Sequence, residues 1–314
     1  MNADQDTDTG PVAIDPIAAV RRALGEPQPL AADRIWQKPF DYDTGHLQRL
    51  ASLPPGASAE PEDLVAYALD FKYEKIQKDL FLHVLPFCLR AWQEDLAQPF
   101  GRYETFVDEF YPALLRGGVF DGELLPAQAA AVGDFMSAAI LAQIDRQQAL
   151  SFKGSKAGVY AWFHALSTYG LLRPDIERLW SVWWAVETEG RALAALQYAS
   201  CLIYDDTGNP VFDSWTREHG GGPPCLWHYR GHVLEERWRD ENLAMLEKTL
   251  TPDGVRALLD RSVARLASHP LRDKAASIRF RLDARTETLA NRCADVRRFL
   301  ATPNEAEYSF QWST

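Results

Sequence analysis

The feature that most constrains this chain is a hydrophobic period close to that of an α-helix, which runs through most of its 314 residues. No stretch alternates apolar and polar residues in the way a half-buried strand requires, and no fixed repeat appears. Segments with one apolar stripe close a core only by packing on one another, so the pattern predicts an all-α fold. From residue 63, Leu64, Ala68, Leu69, Ile76, Leu80 and Val84 return to one side, and Pro86 is expected to kink or break the run before Leu89 and Trp92 continue it. Phe106, Phe110, Leu114 and Leu115 mark a helix closed by Gly117 and Gly118. Leu125-Pro126 opens the next, which buries Val132, Phe135, Met136, Ile140, Leu141 and Ile144.

Beyond residue 158 a helix over 159–169 ends at Gly170, and Pro174 with Asp175 opens a long one that runs toward residue 204. This segment carries Trp180, Trp183, Trp184, Leu193, Leu196 and Tyr198 and is apolar almost all round, which marks it as the central helix. Helical period resumes over 226–250, Thr251-Pro252-Asp253 starts a helix through Leu266, and 271–300 supplies another. The expected architecture is an irregular bundle of roughly ten helices around the Trp-rich one.

Four regions follow from composition. Residues 1–13 form a disordered tail, and 14–62 hold a short helix capped by Asp15 and Pro16, then a proline-rich arm with Trp36 and Phe40 as its expected anchors. Residues 63–150 and 151–314 are two helical subdomains packed as one unit, with the glycines of 151–158 at the boundary and the aromatic tail from 303 docking Phe310 or Trp312.

A formal charge of -11 repels phosphate backbones and anionic leaflets, which argues against nucleic acid or a membrane and suits a basic protein partner. Cys88, Cys201, Cys225 and Cys293 are scattered without a paired spacing, as in a reducing compartment. Residues 1–10 are acidic and lack signal-peptide regions, so a cytoplasmic location is expected.

Residues 66–150, with Leu85-Pro86 and then Leu125-Pro126-Ala127-Gln128 leading into Val132 and Phe135, resemble an uncharacterised family of bacterial helical domains. The likeness spans under a third of the chain and rests on packing residues. It implies a helical fold and a bacterial source, and it implies no activity.

The chemically suggestive residues concentrate in 205–236, a long irregular stretch of the kind that is often functional. His219 followed by three glycines matches an esterase oxyanion loop, but the chain has neither the sheet nor the nucleophile turn of that fold. Asp205, Thr207, Asn209 and Asp213 alternate like calcium ligands, yet Pro210 stands where the sharp-turn glycine belongs, and an Asx turn accounts for them. Cys225, His228 and His232 share one side of a helix and, with His219, form the candidate metal set. Gly231 weakens that helix by about 1 kcal/mol, and Pro223-Pro224 restrict the return of His219, so no metal or other cofactor is expected.

Catalytic candidates are Asp205, Asp206, His219 and Glu187, the last weighed against a solvated face or a salt bridge. Because no complete catalytic set emerges, the sequence favours a non-catalytic cytoplasmic binding or antagonist protein, immunity-like in character. The other class is a helical enzyme sited in 205–236, metal-assisted or using acid and base residues. An enzyme would bring these groups to a concave pocket, whereas a binder would present an acidic or aromatic face.

Overall fold

The computed structural model describes residues 16–98, 101–150, 158–203 and 237–302, and among these the chain is all-α, with no strand. The first part comprises α1 (Pro16–Leu24), α2 (Gly45–Ser52), α3 (Pro61–Tyr73), α4 (Lys78–Ala97), α5 (Glu104–Arg116) and α6 (Pro126–Asp145). The second comprises α7 (Gly158–Leu172), α8 (Ile176–Trp184), α9 (Glu189–Ile203), α10 (Asp240–Thr249), α11 (Pro252–Arg265), α12 (Arg272–Asp283) and α13 (Thr286–Ala301).

Proline begins α1, α3, α6 and α11, where its missing N–H would have had no partner within the helix. At α11 the Thr251 hydroxyl accepts the Gly254 N–H at 3.0 Å, and before α6 the Gln128 side chain accepts the Leu125 N–H at 3.0 Å.

Several boundaries differ from the pattern. The run from residue 63 to 84 is split between α3 and α4, because the chain turns at 74–77 to seat Gln77. Pro86 does not interrupt α4. It lies among the buried residues Leu85, Phe87, Cys88 and Leu89, whose packing offsets a defect of about 3 kcal/mol. The long segment expected from Pro174 to residue 204 is two helices, broken at Val186, which adopts φ of 56°. That left-handed conformation is strained for a β-branched residue, and it is held from outside. Arg261 donates to the Trp184 carbonyl at 3.1 Å and Arg265 to the Val186 carbonyl at 3.2 Å, while the Thr188 hydroxyl accepts the Arg191 N–H at 3.1 Å and starts α9. The segment from 271 to 300 likewise divides at Ala284 and Arg285 into α12 and α13.

Gly170 does not end α7, which continues to Leu172. Its role is closeness: a Cβ there would stand 2.3 Å from the Trp238 ring, whose indole N–H donates to the Ser167 carbonyl at 2.9 Å. Gly190 does the same for backbone, since a Cβ would lie 2.2 Å from the Asp145 carbonyl oxygen.

One continuous cluster of buried side chains extends from Ile17 to Leu300. At its middle α6 touches α1, α4, α7, α8 and α9, and Arg191 of α9 pairs with Asp145 at the end of α6 at 2.9 Å. By length and composition alone α6 is apolar enough to cross a bilayer, but more than half of its apolar window is buried inside the fold, as in any core helix. Residues 1–13, the 151–157 boundary and the tail from 303 lie outside the described residues.

Candidate functional site

Of the residues singled out by their chemistry, Asp205, Asp206, His219, Cys225, His228 and His232 lie outside the described residues. Glu187 lies within them. Its side chain is 73 % exposed and faces Arg191 one turn on at 3.5 Å, which places it on a solvated face in an ion pair. Among the described residues no three His, Cys, Asp or Glu side chains gather closely enough to hold a metal ion. Cys88, Cys201 and Cys293 are buried and form no disulfide; burial pushes Cys293 up to about 12 and Cys88 further still, far from the thiolate form that reacts.

The structure draws attention instead to the arm between α1 and α2. Leu30 and Pro39 turn inward, but Trp36 and Phe40, the expected anchors, are 55 % and 53 % exposed. The anchors are polar and come from elsewhere. Gln77, completely buried at the start of α4, accepts the N–H groups of Trp36 at 2.7 Å and Gln37 at 3.0 Å and donates to the Arg34 carbonyl at 3.0 Å. Gln37 returns the bond by accepting the Gln77 N–H at 3.0 Å. Asp70, 1 % exposed near the end of α3, accepts the Phe40 N–H at 2.6 Å and meets the His46 ring at 2.6 Å. A buried carboxylate is tolerated when its lone pairs are used in this way, and the result is a surface segment whose backbone is fixed from below.

What that backbone presents is aromatic. Phe40 stacks on Tyr73, the last residue of α3, with ring centroids 4.9 Å apart. Tyr73 is 51 % exposed and Tyr42 is 88 % exposed, the latter at φ of 65°. A non-glycine residue in the left-handed region costs of order 1 kcal/mol, and strain of this kind concentrates where side chains are aimed at ligands. Cations border the rings: Lys75 lies 5.9 Å from the Trp36 ring centre, and Lys72 and Arg116 lie 5.2 and 5.8 Å from that of Tyr73.

Beside Phe40 a cavity of about 350 Å³ opens between the arm, α3 and the start of α5. Val65 and Leu69 contribute apolar wall, Asp41 and Glu62 carry carboxylates, and Asp70 lies in its lining. Arg102, the lining's cation, is paired with Glu60 at 2.7 Å. On α3, burial holds the Tyr67 phenol well above its usual range, helped by Cys88, Asp70 and Asp79, and among the described residues its hydroxyl has no hydrogen-bond partner.

A second perturbed group stands on the last turn of α4. Burial, then the neighbouring Glu104 and Asp108, push the Asp95 carboxyl from 3.8 up to about 7. It does not line the cavity beside Phe40.

No family model, curated protein or solved structure matches the chain. Sequence reasoning missed Asp70, Gln77 and Tyr42. For Tyr42 a faint signal existed, since Asp41 and Asp43 flank it as turn residues, and the Asp43 N–H is indeed accepted by the Asp41 side chain at 3.0 Å.

Proposed function

We propose that this chain is a cytoplasmic protein-binding protein of the antagonist type, whose partner docks on the aromatic face formed by the arm and the end of α3. The observation that carries the reading is the exposure of Trp36, Phe40 and Tyr42 on an arm whose backbone is pinned by buried Gln77 and Asp70, with exposed Tyr73 of α3 stacked on Phe40. Only Phe280 on α12 is a comparably exposed large aromatic among the described residues. Tryptophan and tyrosine dominate binding hot spots because they cover a large area with few rotatable bonds. A backbone fixed in advance lowers the ordering entropy that association must overcome.

The test is a matched comparison of three forms of the full chain: wild type, the double variant Trp36→Ala with Tyr73→Ala, and Phe280→Ala as a control. A partner retained from cell extract by wild type and by Phe280→Ala, then purified, should bind the double variant at least about 30-fold more weakly. Unchanged affinity in the double variant refutes the assignment of this face.

A further inference from the structure

We infer that the cavity beside Phe40 receives a single arginine or lysine side chain from a basic segment of the protein partner, an inference that rests on the binding role proposed above. Its chemistry is that of an amphipathic cation. Val65, Leu69 and the Phe40 ring offer apolar surface to a methylene stem, and Asp41 and Glu62 offer carboxylates to a charged tip. Neither of those carboxylates has an ion-pair partner among the described residues. Asp70 also lies in the lining, its carboxylate already bonded to the Phe40 N–H and the His46 ring. Arg102 does not cancel this field, because Glu60 holds it.

Geometry agrees with charge. One face of the Phe40 ring is covered by Tyr73, so the ring turns its remaining face and edge to other contacts, among which a guanidinium or ammonium gains a cation–π attraction. At about 350 Å³ the cavity stands at the small end of ligand sites, suited to one long side chain and not to a dinucleotide. Phosphate groups would meet unpaired carboxylates there and be repelled. The net charge of -11 steers a basic partner toward the molecule as a whole.

The experiment uses the full chain and two defined probes, acetyl-Ala-Arg-Ala-amide and the same peptide with neutral citrulline in place of arginine, titrated by protein-observed NMR. The arginine peptide should shift resonances of the arm and α3 and bind about tenfold more tightly than the citrulline peptide, and Asp41→Asn with Glu62→Gln should remove that advantage. Both substitutions lie at exposed positions, so the fold is retained. Equal binding of the two peptides, no binding of either, or an advantage that survives the double substitution each overturns the inference. Failure here with partner affinity still lost in the Trp36→Ala and Tyr73→Ala variant leaves the binding role standing. Failure of both removes the face altogether.

Discussion

Two regions of this molecule are rich in aromatic residues, and they are built in opposite ways. Around α7, α8 and α9, Trp162, Trp180 and Trp183 are fully buried and meet edge to face, Trp162 with Trp183 at 5.2 Å and Trp180 with Trp183 at 5.4 Å. Among the described residues the indole N–H groups of Trp162, Trp180, Trp183 and Trp184 find no hydrogen-bond partner. On the arm, Trp36 and Phe40 stand outside while their backbone N–H groups are bound by completely buried side chains. The interior thus tolerates orphan donors, at about 1 to 3 kcal/mol each, because ring burial and edge-to-face contacts outweigh them. The surface region has no such burial to rely on. It is held by hydrogen bonds that must all be made, so the same residue type serves packing in one place and presentation in the other.

Removing one member from each region tests that contrast. Trp183→Ala should destabilise the fold by about 3 to 5 kcal/mol in denaturant unfolding, since the cavity opens amid rings that cannot collapse. A loss below about 1 kcal/mol would show that the Trp cluster is loosely packed. Asp70→Ala should be the costliest single change under the arm, about 3 kcal/mol, because it leaves the buried His46 ring and the part-buried Phe40 N–H without their partner. Limited proteolysis should then cut within residues 36–44, and an arm as resistant as in the wild type would mean that Gln77 alone suffices.

Asp95 sharpens the comparison through pH. Its folded value of about 7 exceeds the ordinary 3.8, so between roughly pH 4 and 7 the folded chain holds a proton that the unfolded chain releases. Stability therefore falls as pH rises through that window, and it stays lower above pH 7. Asp95→Asn should flatten this slope and raise the melting temperature slightly at pH 8; parallel pH profiles for the two proteins would refute the shift. Smallest of all, Trp36→Ala should change stability by less than about 0.5 kcal/mol, because an exposed ring has little apolar area to lose. A loss of 2 kcal/mol would make Trp36 an anchor after all.

Local chemistry made the helices legible. Pro126, Pro252 and Thr251 stand where caps were expected, and Leu64, Val132, Met136, Ile140 and Trp183 lie on the buried side that their spacing assigns. The break at Val186 was hidden because neither glycine nor proline marks it, although Thr188 with Glu189 behind it carries the ordinary signal of a helix start. The arm was misjudged for a different reason. Apolar residues in a proline-rich stretch invite the role of anchor, whereas the groups that fix this one, Asp70 and Gln77, lie 30 to 43 residues away and look like solvated polar positions on their helices. Hydrogen bonds over such separations leave no trace in periodicity.

Those separations also bear on how the chain assembles as it is made. The ties that position the arm close within residues 30–79, none spanning more than 45 residues, so their loops are cheap in entropy and complete once α4 has begun to emerge. The ties of the Trp-rich region reach further: Asn242 and Trp238 return to α7 across about 70 residues, and Arg239 returns to Asp121 across 118. A nascent chain should therefore acquire its ordered arm before its tryptophan interior can close, with the outward aromatics set in place while the inward ones still await their lids.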